Sequence, residues 1–216
     1  MPTTTTSTTT STSTTTTTLG EVGGNLYDLL PLLTIEAGGA DQKFLKEALR
    51  LAGREFCRET EMWREIVSFL TVVDVANYTI STPLQTAWAK TDLYRVYYVE
   101  QEDIALDSTD YTLSVAGVLT FDPAPGATGD TVEAYCIVLP RRGCSNYPTW
   151  LLEQWTEGII AGALWRLFSA KNRPWSDPDM AQQKYEEYRR IVGMAKAMML
   201  AGRKTGNLKV QGRDFV

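Results

Sequence analysis

A sharp break between two long apolar segments constrains the fold of this chain more than any other feature. The break covers residues 172–178, with the sequence Asn-Arg-Pro-Trp-Ser-Asp-Pro. Asp177 is a good N-cap because its carboxylate can accept a backbone N–H bond from the next helical turn. Pro178 suits the first helical position, where its missing N–H costs nothing. The break therefore predicts two helices, the second running from Pro178 to a glycine stop at Gly202.

The segment after the break has one apolar face. Steps of four and three residues connect Ala181, Tyr185, Tyr188, Val192, Ala195 and Met199. Such a stripe is typical of a helix that packs on a core through one side. On the charged side, Glu186 and Arg190 are spaced to form an ion pair across one turn.

The segment before the break is apolar on most of its circumference. We expect it to start after Pro148 with Thr149 as N-cap. Its two apolar sides consist of Leu152, Trp155, Ile159, Ala163 and Leu167, and of Ile160, Leu164, Trp165 and Phe168. A helix of this kind is buried among neighbours. Gly158 and Gly162, one turn apart, would let another backbone approach closely, and we interpret them as simple packing positions.

An earlier helix is predicted from Asp41, as N-cap, to about Thr60. Its buried stripe is predicted to consist of Phe44, Ala48, Ala52 and Phe56, widened by Leu45 and Leu49. Cys57 is expected to point into the core as a small apolar residue. The charged residues of this helix indicate a solvated face rather than a docking face for an acidic partner.

Residues 66–139 have the pattern of short strands. The predicted strands are Ile66–Val75, Asn77–Ile80, Leu93–Val99, a hairpin of Tyr111–Val115 with Val118–Phe121, and Thr131–Leu139. Strands bracketed by helices, rather than alternating with them, indicate an α+β fold. We expect a helical bundle, made of one N-terminal helix and a long C-terminal helix pair, with an inserted small antiparallel β domain and extended N- and C-terminal arms.

Both ends of the chain differ from the middle. Residues 3–18 are only Thr and Ser, which favours a disordered tail in the isolated chain. The alternative is an arm ordered by another protein through strand addition, because β-branched Thr accepts extended conformations. Residues 203–216 are basic and end in Phe215 and Val216, so they form either a frayed terminus or a docking arm.

Composition excludes several classes of chemistry. Histidine is absent, which removes Ser-His-Asp and Cys-His catalysis and the commonest metal ligand. The three cysteines, Cys57, Cys136 and Cys144, lack metal spacing, and their odd number favours reduced, intracellular synthesis. No signal peptide, membrane span, phosphate-binding loop or dinucleotide fingerprint is apparent. The sequence therefore predicts no enzyme activity, no cofactor and no metal.

Acidic residues provide no catalytic pair either. Glu100, Glu102 and Asp103 are expected in a solvated loop, and Glu59 and Glu61 lie near a helix end without an evident partner. The net charge of −5 argues against general nucleic-acid binding.

Several strings occur in a familiar order. Ala48–Trp63 reads Ala-Leu-Arg-x-Ala-x-x-Glu-Phe-Cys-x-x-Thr-x-x-Trp, and residues 119–125 read Leu-Thr-Phe-Asp-Pro-Ala-Pro. Pro148-x-Trp-Leu, Gly-Ala-Leu-Trp-Arg-Leu at 162–167 and Pro-Trp-Ser-Asp-Pro at 174–178 follow. Over about residues 26–202 the chain resembles the head-to-tail adaptor (connector) proteins of tailed bacteriophages.

The resemblance implies a ring, usually of twelve copies, at the capsid–tail junction of a virion made in the bacterial host cytoplasm. Its partners would be the portal protein above, a tail or nozzle protein below, and genomic DNA that passes through without sequence-specific binding; no membrane is involved. The C-terminal arm would dock on the portal through Arg203, Lys204, Leu208, Lys209, Val210, Arg213, Phe215 and Val216.

The expected division has five parts. These are a Thr/Ser-rich arm (1–25), an N-terminal helical part (26–65), an antiparallel β domain (66–140), a C-terminal helix pair (141–202) and a docking arm (203–216). The alternative function is a secreted carbohydrate-binding β module behind a Thr-rich linker, with Tyr94, Tyr97 and Tyr98 stacking on sugars.

Overall fold

The fold is α+β, as the sequence predicts. The computed structural model describes residues 23–80, 91–107, 109–114 and 117–202. Its helices are α1 (Leu30–Glu36), α2 (Gln42–Thr60), α3 (Thr149–Phe168) and α4 (Pro178–Gly202), with a short 3-10 helix at Leu26–Leu29. Its strands are β1 (Gly23–Asn25), β2 (Arg64–Leu70), β3 (Asn77–Thr79), β4 (Thr91–Gln101), β5 (Ile104–Ala105), β6 (Tyr111–Leu113), β7 (Val118–Phe121), β8 (Thr131–Pro140) and β9 (Asn146–Pro148).

The chain divides into two compact units. One contains the strand-rich Trp63–Asn146, and the other contains Gly24–Met62 with the described part of Tyr147–Val216. In the described ranges, no helix is both long enough and apolar enough to cross a lipid bilayer.

The strand-rich unit contains two antiparallel sheets. One has the strand order β2-β8-β4-β5 and the other β3-β7-β6, while β1 and β9 form a separate two-stranded pair. The predicted hairpin is confirmed, because Tyr111 pairs with Phe121 and Leu113 with Leu119. The predicted run Ile66–Val75 was too long: β2 ends at Leu70, and Thr71 then hydrogen-bonds to the loop before β8 through Asp130 and Ala127.

Aromatic packing links the strands of this unit. The Tyr78 ring stacks on Phe69, with ring centroids 4.9 Å apart, and meets Phe121 edge-on at 5.5 Å. The Tyr78 hydroxyl is also held: it donates to the Val72 carbonyl at 3.2 Å and accepts from the Val72 N–H at 2.8 Å. The buried phenol therefore keeps its polar end satisfied within an apolar core.

In the helical unit, α3 packs against both α2 and α4. Its predicted apolar sides are buried, apart from the partly exposed Trp165. The prediction that Thr149 caps this helix was wrong. Pro148 occupies the N-cap position without a side-chain hydrogen bond, and Thr149 is already helical. The helix is also kinked at Trp155, whose φ of −123° and ψ of 19° are not helical.

Two glycines of α3 set how closely the helices approach. A Cβ on Gly158 would stand 2.8 Å from Ile191 Cγ2 and 2.9 Å from Phe56 Cε2. A Cβ on Gly162 would stand 2.9 Å from Tyr188 Cδ2 and 3.3 Å from Ala52 Cβ. Side chains of α2 and α4, and not another backbone, fill the space beside these glycines, which agrees with the interpretation as simple packing.

The start of α2 departs from the prediction in two ways. Asp41 occupies the N-cap position, but its side chain makes no capping hydrogen bond. Phe44 is exposed instead of buried. Its ring lies at the surface beside Trp175, with ring centroids 5.5 Å apart, and under the Arg173 guanidinium, which is 4.8 Å from the ring centroid. The rest of the stripe is buried as predicted, and Cys57 is fully buried.

The start of α4 is as predicted. The Asp177 carboxylate accepts from the backbone N–H groups of Asp179 and Met180, both at 3.1 Å. The predicted pairing of Glu186 with Arg190 is wrong: Glu186 accepts from Gln182 at 2.8 Å, and Arg190 donates to the sulfur of Met194 at 3.7 Å.

Candidate functional site

The residues predicted to dock on the portal lie outside the described residues. This holds for Arg203, Lys204, Leu208, Lys209, Val210, Arg213, Phe215 and Val216, and equally for the Thr/Ser tract at 3–18. Within the two units, the described residues form polar clusters, a cleft and exposed apolar surfaces.

Glu59 is the centre of a polar cluster between α2 and α4. Its carboxylate accepts from the Tyr188 hydroxyl at 3.3 Å and lies 3.4 Å from Arg189 Nη1 and 3.9 Å from Lys196 Nζ. The expectation that Glu59 lacks a partner was wrong, because all three partners are more than 120 residues away in sequence. Burial, and then the neighbouring Glu59 carboxylate, raise the pKa of Tyr188. The cluster ties two helices together.

A cleft opens beside the break between α3 and α4. Its volume is about 520 Å³, and its apolar walls include Trp165, Phe168 and Tyr185, with the first and last rings 4.8 Å apart. Lys171 and Gln182 are among the polar residues that line it. A cleft of this composition can receive an apolar side chain of a partner. Sequence reasoning missed it, although two partly exposed aromatic residues flanking a helix break were a usable signal.

Carboxylates and tyrosines form a second cluster on the β2-β8-β4-β5 sheet. Glu100 accepts from the hydroxyls of Tyr98 at 2.7 Å and Tyr135 at 3.1 Å, and Tyr135 also lies 3.2 Å from Glu133. Burial and the two carboxylates raise the pKa of Tyr135. The expectation that Glu100 lies in a loop was wrong, since it is a residue of β4 directly opposite Glu133.

The tyrosines proposed for sugar stacking do not share one open platform. The Tyr97 ring lies under the Arg64 guanidinium at 4.8 Å and meets Tyr135 edge-on at 6.2 Å. The Tyr98 hydroxyl is engaged by Glu100, and Tyr94 is exposed. An occupied ring face is not available to stack on a sugar, so this geometry does not favour the carbohydrate-binding alternative.

The thiols of Cys57 and Cys136 are poor nucleophiles. Burial raises the pKa of Cys57 to about 12, and burial together with Glu65 raises that of Cys136 to about 12. The reactive form of a thiol is the thiolate, which these sites disfavour. Among the residues that the structure describes, no group of three or more His, Cys, Asp or Glu side chains is placed to hold a metal ion.

Three helices of the helical unit expose apolar side chains, and α2 does so at Phe44 and Leu51. α1 exposes Leu32 and Ile35, the latter by 80 %, and α4 exposes Met194, Met198 and Leu200. Met194 and Met198 are one turn apart and therefore share a helix face. Apolar and methionine-rich surfaces of this kind are typical of protein-binding faces.

Comparison with known proteins gives one family. A family model described as SU10 adaptor protein matches residues 17–210, a range that includes every described helix and strand. A search of curated proteins found no match.

Proposed function

Since the chain belongs to the SU10 adaptor protein family, we propose that it joins the head and the tail of a tailed bacteriophage as one copy of a ring at the capsid vertex. The family match over residues 17–210 is the observation that carries this proposal. The sequence resemblance to phage head-to-tail adaptors is thereby confirmed, and the protein is a phage structural adaptor and a component of the virion.

Exposed apolar residues support a multi-copy assembly. Ile35, Met194, Met198 and Leu200 leave apolar surface in water in the single chain. Burial of apolar surface stabilises by about 25 cal/mol per Å². In a ring, each subunit would cover such surface with its neighbours, with twelve copies as the expected number. The helices at 41–60 and 149–201 would form the ring body, and the strands at 66–139 would contact neighbours or the tail.

The terminal segments complete the proposed organisation. The C-terminal arm, residues 203–216, would dock on the portal protein, while a tail or nozzle protein would bind the opposite side of the ring. Basic residues of the arm, such as Arg203 and Arg213, would meet acidic groups of the portal, and Phe215 and Val216 would anchor in apolar pockets. We also propose the arrangement predicted from the sequence: a helical bundle with an inserted β domain, two terminal arms, and a chain divided into five parts.

The charge of the chain suits a DNA exit channel. The net charge is −5. Protein cations that neutralise phosphates provide the sequence-independent part of DNA binding, so a chain with a net negative charge would let DNA pass without adhering. Catalysis has no part in the proposed role: the chain would act by assembly alone, without a cofactor.

Size-exclusion chromatography with light scattering, with and without the portal protein, tests the proposal. We expect a discrete multi-copy assembly when the portal is present, whether or not the free protein is monomeric. A protein that stays monomeric beside a correctly assembled portal would overturn the ring. Binding on a glycan array in that same preparation would favour the carbohydrate module instead.

A further inference from the structure

At the β2 edge of the β2-β8-β4-β5 sheet, every second residue directs its backbone groups away from the sheet. The Val138 N–H donates to the Trp63 carbonyl at 3.0 Å, and the Thr71 N–H donates to the Asp130 carbonyl at 2.9 Å. Antiparallel pairing alternates along a strand, so the odd-numbered residues of β2 direct their backbone groups to β8. The even-numbered Ile66, Ser68 and Leu70 therefore direct theirs away from the sheet. Within the described part of the chain, these outward groups have no backbone partner.

The two edges of this sheet differ in a way that indicates a partner. On the far side of the sheet, among the described residues, β5 (Ile104–Ala105) pairs with β4 only at Glu100 and Gln101, and the rest of that edge belongs to β4, which includes the charged Asp92 and Arg95. Charged side chains on an edge strand disfavour the addition of another strand. The edge at β2 has seven residues, and from Ile66 to Leu70 it contains no charge and no proline. Ile66 and Leu70 are exposed on it. Proteins normally protect an apolar edge of this kind with Lys, Pro or a covering element, because it otherwise pairs with another chain.

We propose that the Thr/Ser tract of a second copy, residues 3–18, adds to the free edge of β2 as an extra antiparallel or parallel strand. The tract is rich in β-branched Thr, is uncharged and contains no proline, so every one of its residues can join a ladder. At roughly 3.3 Å per residue its 16 residues span about 50 Å, more than twice the length of β2.

In a ring, the neighbouring copy would supply the Thr/Ser tract, so the inference rests on the proposed function. In a head-to-tail ring each subunit donates one surface and receives its complement, so each tract finds one β2 edge and no edge is left open. Main-chain hydrogen bonds give such strand addition its affinity. The Thr methyl groups would lie beside Ile66 and Leu70 and shield them from water.

Disulfide trapping between two differently substituted chains tests the proposal. One full-length chain carries Ser68→Cys and the other carries Thr10→Cys, and they are mixed, assembled with the portal protein and oxidised mildly. Residues opposite each other on paired strands have Cα separations of about 4.5–5.5 Å, which suits a disulfide. We expect a cross-linked dimer on a non-reducing gel. Gln183→Cys on the exposed side of α4 replaces Ser68→Cys in the matched control, which should give no dimer. The native thiols are buried and do not interfere.

Three results would overturn the proposal. The first is an assembly of correct mass in which the Ser68→Cys and Thr10→Cys chains give no more dimer than the control; the proposed function then stands and the strand addition fails. The second is an internal cross-link without dimer when both substitutions are in one chain, which places the tract on its own subunit. The third is failure to assemble with the portal at all, seen as a monomer mass, which removes the proposed function and the inference together.

Hydrogen exchange gives a second measurement that needs no substitution in the strand. In the assembly, the amides of Ile66, Ser68 and Leu70 should exchange roughly tenfold or more slowly than in a chain lacking residues 3–18, as expected for one added hydrogen bond each. The inward amides of Val67 and Phe69 are the internal control and should be unchanged. Equal protection of the outward amides with and without the tract would mean that another element covers the edge, and would exclude this occupant.

Discussion

The Tyr188 hydroxyl donates a hydrogen bond to the Glu59 carboxylate at 3.3 Å, and the ring of the same tyrosine fills the space beside Gly162. One side chain of α4 thus makes a polar contact with α2 and an apolar contact with α3. The residue is 1 % exposed, so both contacts are made inside the helical unit.

Tyr188→Phe should destabilise the protein by about 1 kcal/mol at neutral pH, because it removes one hydrogen bond to a charged acceptor. It should also change the response to alkali. The pKa of Tyr188 is raised above its ordinary value of 10.0, first by burial and then by Glu59. Above about pH 10 the unfolded chain loses this proton while the folded protein keeps it, so stability falls as pH rises. Tyr188→Phe should make that fall shallower.

Urea denaturation at several values between pH 7 and pH 11 measures both effects. Tyr94→Phe, at an exposed tyrosine, is the matched control and should leave the neutral stability unchanged. An alkaline slope that is identical in wild type and Tyr188→Phe would show that burial of this phenol does not contribute to the pH dependence.

Gly162→Ala should destabilise the protein by about 1–3 kcal/mol, the usual cost of overpacking a core. The new Cβ would meet Tyr188 Cδ2 at 2.9 Å and Ala52 Cβ at 3.3 Å, and neither neighbour is the end of a flexible side chain. Gly158→Ala should behave alike, because Ile191 and Phe56 lie within 2.9 Å.

Gly193→Ala is the control for both glycine substitutions. Gly193 lies on α4 with nothing within 4 Å of a new Cβ, so the change should stabilise by up to about 1 kcal/mol through helix propensity alone. Thermal and urea unfolding of the three variants measure the contrast. Equal stabilisation at Gly162 and Gly193 would contradict the close approach of the helices.

Asp177→Ala should cost about 1 kcal/mol, the typical value of an N-cap. The carboxylate satisfies two backbone N–H groups, those of Asp179 and Met180, at the start of α4. Asp177→Asn keeps a side-chain oxygen in the same place and should retain most of the stability. Circular dichroism during urea denaturation reports the difference, and equal losses in the two variants would assign the effect to charge instead of capping.

Deletion of Lys209–Val216 should abolish attachment to the portal while leaving the thermal melt unchanged. The deleted residues include the proposed apolar anchors, Phe215 and Val216, and are not among the residues that the structure describes. Co-sedimentation with the portal protein measures attachment, and calorimetry measures the melt. A chain with the same eight residues in scrambled order controls for length and charge. Attachment that survives the deletion would remove the docking role of the arm.

Local signals in the sequence were sufficient to identify α2, α3 and α4, whereas α1 (Leu30–Glu36) was not predicted. Pro178 after Asp177 determined where α4 begins, since the cap and the proline act within one turn. The apolar spacing of α3 and α4 identified the buried sides, because helical periodicity places residues three and four apart on one face. The glycines at 158 and 162 indicated a close contact, although the sequence did not name the elements that make it.

The failures occurred where a residue's environment depends on elements far away in sequence. Phe44 has the spacing of a core residue, but Trp175 and Arg173 hold it at the surface. No partner was predicted for Glu59, because Tyr188, Arg189 and Lys196 approach it only after the helices pack. Thr149 and Asp41 are of residue types that commonly cap helices. Capping also requires a particular side-chain rotamer, which the residue type alone does not specify.

By itself, the sequence determined the class of fold, the helices on either side of the break, and the family to which the chain belongs, because these follow from local patterns and ordered motifs. Tertiary structure alone decided the strand order β2-β8-β4-β5, and with it which strand has an open edge. Strand neighbours are chosen by hydrogen bonds between distant segments, so Arg64–Leu70 can be recognised as a strand from its residues but as an edge only from its partners.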